Sequence, residues 1–145
     1  MQINKFTDYA FRVLIYLARQ QGHSHTIASL AKQLHLSQNH LVKIVHFMAK
    51  QKWLVTSRGK GGGIRLAEGV LGLPLGEMLR TLQGNVQIVN CLSPHCTLHP
   101  ECQLKHLLEN ALGQFYQALN QYNLAMVVNR DNLNDSLIIA VKMLS

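Results

Sequence analysis

Apolar residues return at every third or fourth position near the start of the chain, at Ala10, Val13, Leu14, Leu17 and Ala18. That spacing lines one face of a helix and predicts an amphipathic helix from Thr7 to about Gln21, with Thr7 as its cap and Gly22 as its stop. A shorter helix is predicted over Ile27 to Leu34, burying Ile27, Leu30, Ala31 and Leu34. The tight connection His35-Leu36 follows. Ser37 can then cap a third helix to about Gln51, because its side-chain oxygen can accept from a free backbone donor of the first turn. Leu41, Ile44, Val45 and Met48 form the buried stripe of that helix.

The pattern then changes. Trp53-Leu54-Val55-Thr56 and Ile64-Arg65-Leu66 are rich in β-branched and aromatic residues and predict two short strands. They are separated by Ser57-Arg58-Gly59-Lys60-Gly61-Gly62-Gly63, the tip of a hairpin. Pro74 at a first helical position and Gly84 past the end bracket another helix, Pro74 to Gln83. From Gln103 to Tyr122 the chain predicts a long helix. Leu104, Leu108, Ala111, Phe115, Ala118 and Tyr122 alternate by four and three, and Leu107, Leu112, Tyr116 and Leu119 form a second stripe. A short helix around Leu137-Ile138-Ile139-Ala140-Val141 is expected after Arg130.

With 145 residues, 48% hydrophobic and only 14% charged, the chain is long and apolar enough for about one globular domain and is not of the disordered class. No basic segment leads into an apolar run at the N-terminus, and no stretch is long enough to cross a bilayer. A cytoplasmic protein in a reducing compartment is therefore expected, with no membrane partner. Charge is distributed unevenly: residues 1 to 66 hold ten Lys or Arg against one acid, Asp8, a balance of +9, whereas residues 67 to 145 hold four against six, a balance of −2. A polyanion-binding surface belongs in the first half.

The second and third helices make a helix-turn-helix, and the third would enter the major groove by its N-terminal end. Gln38, Asn39 and His40, beside the cap Ser37, are candidate base readers, since Gln and Asn can both donate to and accept from adenine. Lys43 is a candidate phosphate contact. The hairpin reads as a wing: glycine lets the backbone approach a phosphate, and Arg58, Lys60 and Arg65 supply charge. The bland alternatives are a solvated polar face and a flexible turn. A membrane surface is a rival polyanion, although the basic residues do not lie along an amphipathic membrane helix.

All three cysteines fall within twelve residues, Cys91, Cys96 and Cys102, spaced C-x4-C-x5-C in a stretch whose prolines and polar residues argue for a loop. In a reducing compartment such a cluster more often binds metal or does redox work than forms structural disulfides. Readings that stay open at this point are a metal held by the soft thiolates, among them a zinc site made of Cys91, Cys96, His99 and Cys102, and a thiol–disulfide switch using Cys91 and Cys96. The two apolar stripes of the long helix exceed what a lone exposed helix tolerates in water. Because the winged-helix core is already complete without it, a symmetric homodimer is expected. A homodimer would also place two reading helices on a palindromic double-stranded DNA operator.

Four segments together resemble the Rrf-type winged-helix regulators: Phe6-Thr7-Asp8-Tyr9-Ala10, the capped helix Ser37 to Lys50, the wing Arg58 to Gly63 with its strand Ile64-Arg65-Leu66-Ala67, and the three-cysteine loop. The likeness spans residues 1 to about 128 and is nearest to the nitric-oxide-sensing branch, in which His40 tends to replace the family's tyrosine. It implies a dimeric transcription factor, not an enzyme, whose Cys91, Cys96 and Cys102 hold a two-iron or four-iron cluster. DNA binding would depend on the state of that cluster. The resemblance further implies Asp8 as a candidate fourth ligand, reaching over from the partner subunit. Asp8 has a plainer reading as a first-turn acid favoured by the helix dipole, worth about 0.3–1 kcal/mol. His95, His99 and Glu101 are local rivals for the fourth position. The expected architecture is mainly α with a small β-hairpin. It comprises a winged helix-turn-helix over 1–84, a cluster-binding loop over 85–102, a dimerisation helix over 103–130 and a tail over 131–145.

Overall fold

The computed structural model describes residues 2–84 and 86–129. The short helix expected around Leu137 to Val141 lies outside the described residues. Among the described residues six helices and one hairpin follow in the order α1 Lys5–Arg19, α2 Ile27–Leu34, α3 Gln38–Lys50, β1 Leu54–Ser57, β2 Gly63–Leu66, α4 Leu75–Gln83, α5 Gln103–Leu119 and α6 Leu124–Val128. A single 3-10 turn, Val70–Gly72, precedes α4. The expected mainly helical fold with a small hairpin is what the chain adopts.

The helix starts show how local chemistry sets the elements. Asn4, not Thr7, caps α1, its side chain accepting from the Thr7 backbone N–H at 2.8 Å. Thr7 sits one turn inside and is completely buried. A capping box of Thr26 and Ser29 opens α2, and His35 closes it in the left-handed conformation. Ser37 caps α3 as expected, accepting from the His40 N–H at 3.3 Å. Pro74 occupies the cap position of α4, so the helix begins one residue later than the sequence suggested.

The strands pair antiparallel, with Leu54 opposite Leu66 and Thr56 opposite Ile64. A second clamp holds the hairpin near its turn: His25 and Ile64 exchange backbone hydrogen bonds of 3.1 and 2.7 Å. This close approach explains Gly63, where a Cβ would lie 2.9 Å from both the His25 carbonyl and the Ser24 side chain. The core gathers Val13, Leu14 and Leu17 of α1, Leu30 of α2, Leu41, Ile44 and Met48 of α3, and Met78 and Leu82 of α4. Each fully buried side chain of this kind contributes about 1.5–3 kcal/mol relative to exposure.

Three expectations about the C-terminal half need correction. The long helix ends at Leu119 instead of Tyr122, and the chain turns into α6, which packs back on α1. Leu124 of α6 is fully buried in the main core, so the winged-helix core is not complete without this segment. Tyr116, counted in an intermolecular stripe, is instead buried within the chain, its ring under the Arg80 guanidinium of α4 at 4.7 Å. Part of the seam is outward: Leu104 and Leu107 are 61% and 65% exposed, and Ala111, Phe115 and Ala118 are exposed as well, whereas Leu108, Leu112, Leu119 and Tyr122 are half-buried.

Candidate nucleic-acid interface and cysteine loop

Ser37 fixes the start of α3, and the first turn beyond it presents Gln38, Asn39 and His40 to solvent, with Lys43 exposed one turn later. Apolar burial of Leu41, Ile44 and Val45 turns the opposite face inward, so the polar face of α3 is free to meet a partner. His40 is not isolated. Its ring lies 6.0 Å from that of Tyr9 on α1, and the Arg12 guanidinium stands 5.6 Å from the centre of the Tyr9 ring. Phe6 meets Phe47 of α3 edge to face at 5.4 Å. Lys5, Phe6, Tyr9, His40, Lys43 and Ile44 surround a small hollow of about 170 Å³ between the two helices. Lys5 was not singled out in the sequence, and Tyr9 only as part of the segment Phe6 to Ala10; a basic residue beside the predicted reading helix is a signal visible only once α1 and α3 are in contact.

Arg58 and Lys60 lie exposed in the wing tip, and Gly59 and Gly61 there adopt positive φ. Arg65 is on β2, paired with Val55 and exposed, away from the tip. It lines a larger open cleft of about 480 Å³ together with Gln20, His23 and Glu68. The structure therefore groups Arg58 with Lys60 and sets Arg65 apart.

His25 supports the wing from below. Its ring packs edge-on against Tyr16 at 5.2 Å, and its Nε2 is buried without a hydrogen-bond partner among the described residues. Burial, then the nearby charge of His23, pushes its pKa below the ordinary histidine value.

The cysteine loop follows α4. Asn90 opens it, its side chain accepting from the N–H groups of Leu92 and Ser93. Two consecutive turns come next: Cys96 N–H donates to the Cys91 carbonyl at 3.0 Å, and His99 N–H to the Cys96 carbonyl at 3.1 Å. All three thiols are free and half-buried. Cys91 and His99 line a hollow of about 240 Å³ walled by Val86, Ile88, Val89 and Leu112. Cys102 occupies the cap position of α5 and makes no side-chain cap bond, so the last sulfur stands at the start of the outward-facing helix.

Three thiols in one loop, unpaired and partly sheltered, are a donor set suited to iron or zinc. Among the described residues, however, no group of three or more His, Cys, Asp or Glu side chains stands close enough to hold a metal ion. The loop brings the cysteines into neighbouring turns without converging their sulfurs. Asp8 is also not among them. It is engaged by Arg12, whose Nε and Nη2 donate to its two carboxylate oxygens at 3.1 and 2.7 Å. Among the described residues no helix is long and apolar enough to cross a membrane.

Comparison with known proteins places this geometry. The model of the Rrf2 family, described as an iron-dependent transcriptional regulator, matches residues 3–130. The chain is 36% identical over 138 residues to the HTH-type transcriptional regulator NsrR of Shouchella clausii, covering 92% of this chain and 93% of that one. Against NsrR of Bacillus licheniformis identity is 35%, covering 92% and 96%. Among solved structures, CymR, the global cysteine regulator of B. subtilis, superposes with a TM-score of 0.70 at 22% identity, covering 88% and 96% of the two chains. T. potens IscR gives 0.66 at 20% identity, covering 94% and 88%. With a family model spanning nearly its whole length and relatives at more than a third identity, this chain belongs to the Rrf2 family of DNA-binding transcriptional regulators and is not an enzyme.

Proposed function

We propose that the protein is a homodimeric repressor that grips a palindromic operator while an iron–sulfur cluster is held by Cys91, Cys96 and Cys102, and lets go when nitric oxide attacks that cluster. The observation that carries the proposal is the position of the cysteine loop. Three free thiols lie between the last helix of the winged-helix unit and a long helix whose exposed apolar seam suits a second copy of the chain. The similarity to NsrR and the resemblance of the cysteine segment favour iron over zinc and nitric oxide as the signal. When bound, the cluster would supply an iron left open by the shortage of protein thiolates, where a small ligand can react.

The chain's own residues divide the work. Gln38, Asn39 and His40 read bases from the first turn of α3, and Lys43, Arg58, Lys60 and Arg65 meet phosphates. Leu104, Leu107 and Phe115 join the subunits. Asp8 of the partner would serve as the fourth ligand only by giving up Arg12. Closing the ligand set also requires the loop to draw its sulfurs together, and that movement acts directly on the start of α5 through Cys102. A coupling of about 1–3 kcal/mol between the two sites would change DNA affinity roughly 5- to 150-fold, enough to switch a promoter.

The test is operator binding by anaerobically prepared protein, before and after stoichiometric nitric oxide, with iron and sulfide assayed in the same sample. Loss of binding on addition is expected. Unchanged affinity removes the sensing proposal, and zinc without iron overturns the metal assignment.

A further inference from the structure

The last residue of α4, Gln83, reaches across the fold to the beginning of α1. Its side-chain oxygen accepts from Asn4 Nδ2 at 2.6 Å, from the Thr7 hydroxyl at 3.3 Å and from the Asn4 backbone N–H at 3.4 Å. Asn4 is the cap of α1, and Thr7 is a completely buried polar residue in an otherwise apolar core. One carboxamide oxygen thus gathers three donors from the first turn of a helix that begins 79 residues earlier. Only Gly84 and Asn85 separate Gln83 from the segment that leads into the cysteine loop.

What α1 does next gives that contact a consequence. Phe6 abuts Phe47, and Tyr9 lies against His40, so the first two turns of α1 form the wall against which the reading helix rests. Helix ends carry unsatisfied donors and fray readily. Without its acceptor at Gln83, the first turn of α1 loses an anchor, and Phe6 and Tyr9 lose their fixed place beside α3. Phosphate contacts made by the wing do not depend on this anchor.

We propose that Gln83 is a positioning residue for operator recognition: it holds the start of α1, and through it His40 and the first turn of α3, in register with the foot of the cysteine loop. The part of this inference concerning transmission from the loop rests on the cluster-sensing function proposed above; the part concerning recognition does not. Because Gln83 only accepts in these contacts, glutamate can replace it, whereas leucine of similar size cannot.

Binding to two duplexes tests this, one selected by the wild-type protein from a random-sequence library and one unrelated in sequence. Gln83→Leu is expected to lower the preference for the selected duplex by about fivefold or more, with the salt dependence on the unrelated duplex unchanged. Gln83→Glu should restore most of the preference. Equal preference in Gln83→Leu and wild type overturns the proposal, as does an equal loss on both duplexes, which is what a purely structural role produces. The ratio of affinities between iron-loaded and iron-free protein should also shrink in Gln83→Leu, and an unchanged ratio overturns the transmission. If wild-type protein shows no such ratio, cluster sensing fails while the preference measurement still decides the role of Gln83.

Discussion

Gly76 sits buried in the first turn of α4, where α5 crosses it. By propensity alone, alanine in a helix interior is worth about 0.5–1 kcal/mol more than glycine, so Gly76→Ala would be expected to stabilise the protein. The crossing reverses the sign. An added Cβ would collide with the Tyr116 carbonyl oxygen and the Asn120 side-chain oxygen, and would lie 2.9 Å from Asn120 Cγ. A backbone carbonyl inside a helix cannot swing aside. Asn120 is tied as well, since it accepts from the Glu77 N–H at 2.9 Å and donates to the Glu77 carboxylate at 3.3 Å, capping α4 from a distant helix where Pro74 cannot. Overpacking costs about 1–3 kcal/mol, and loss of a cap of this kind typically about 1 kcal/mol. Together these outweigh the propensity gain, leaving a net destabilisation of roughly 1–3 kcal/mol. Gly113 in α5 is the internal control, because nothing lies within 4 Å of a Cβ placed there. Gly113→Ala should gain about 0.5–1 kcal/mol. Urea unfolding of both variants at one fixed protein concentration measures the pair. A Gly76→Ala protein as stable as wild type, or a Gly113→Ala protein equally weakened, would refute the reasoning.

Three other outcomes are expected. Burial, then the charge of His23, lowers the folded pKa of His25 below the unfolded value near 6.5. The unfolded chain then binds the proton first, and this contribution to stability, present above that value, is lost as pH falls through it; wild type should weaken more than His25→Phe between pH 7.5 and 5.5, and parallel profiles would contradict the assignment. Leu104→Glu combined with Leu107→Glu, at exposed positions, should leave the fold intact by circular dichroism and abolish dimers in sedimentation, so a persisting dimer would remove α5 as the subunit contact. Asn39→Ala should relax base preference while Arg58→Ala weakens binding to all sequences alike and flattens the salt slope by about 0.9; the reverse pattern in competition binding would reject the division between base and phosphate contacts.

Much of the winged-helix unit was legible because its signals are local. The stripe Ala10 to Ala18, the cap at Ser37 and the glycine-rich turn before Ile64 each depend on residues within a turn or two, and the structure forms them close to the expected limits. Thr7 was misread because both Asn4 and Thr7 have side chains able to cap a helix, and only the buried surroundings of Thr7 select Asn4. The break at Leu119 escaped notice because apolar periodicity continues through Tyr122, while the turn there is drawn out by pairing of Leu75 N–H with the Tyr122 carbonyl at 2.9 Å.

The candidate site divides in the same way. Basic and polar residues of α3 and the wing, and the three thiols between Cys91 and Cys102, are written plainly in the chain, since their number and spacing are properties of the sequence itself. The sequence by itself determined the helix periods, the cap at Ser37, the charge asymmetry and the clustering of sulfur donors. Only the tertiary structure decided that Gln83 closes over Asn4, that Asn120 caps α4, and that Tyr116 turns inward while Leu104 and Leu107 stay outside. The first set follows from interactions reaching no further than one helical turn. The second depends on where whole helices cross, which is settled by packing the entire core at once.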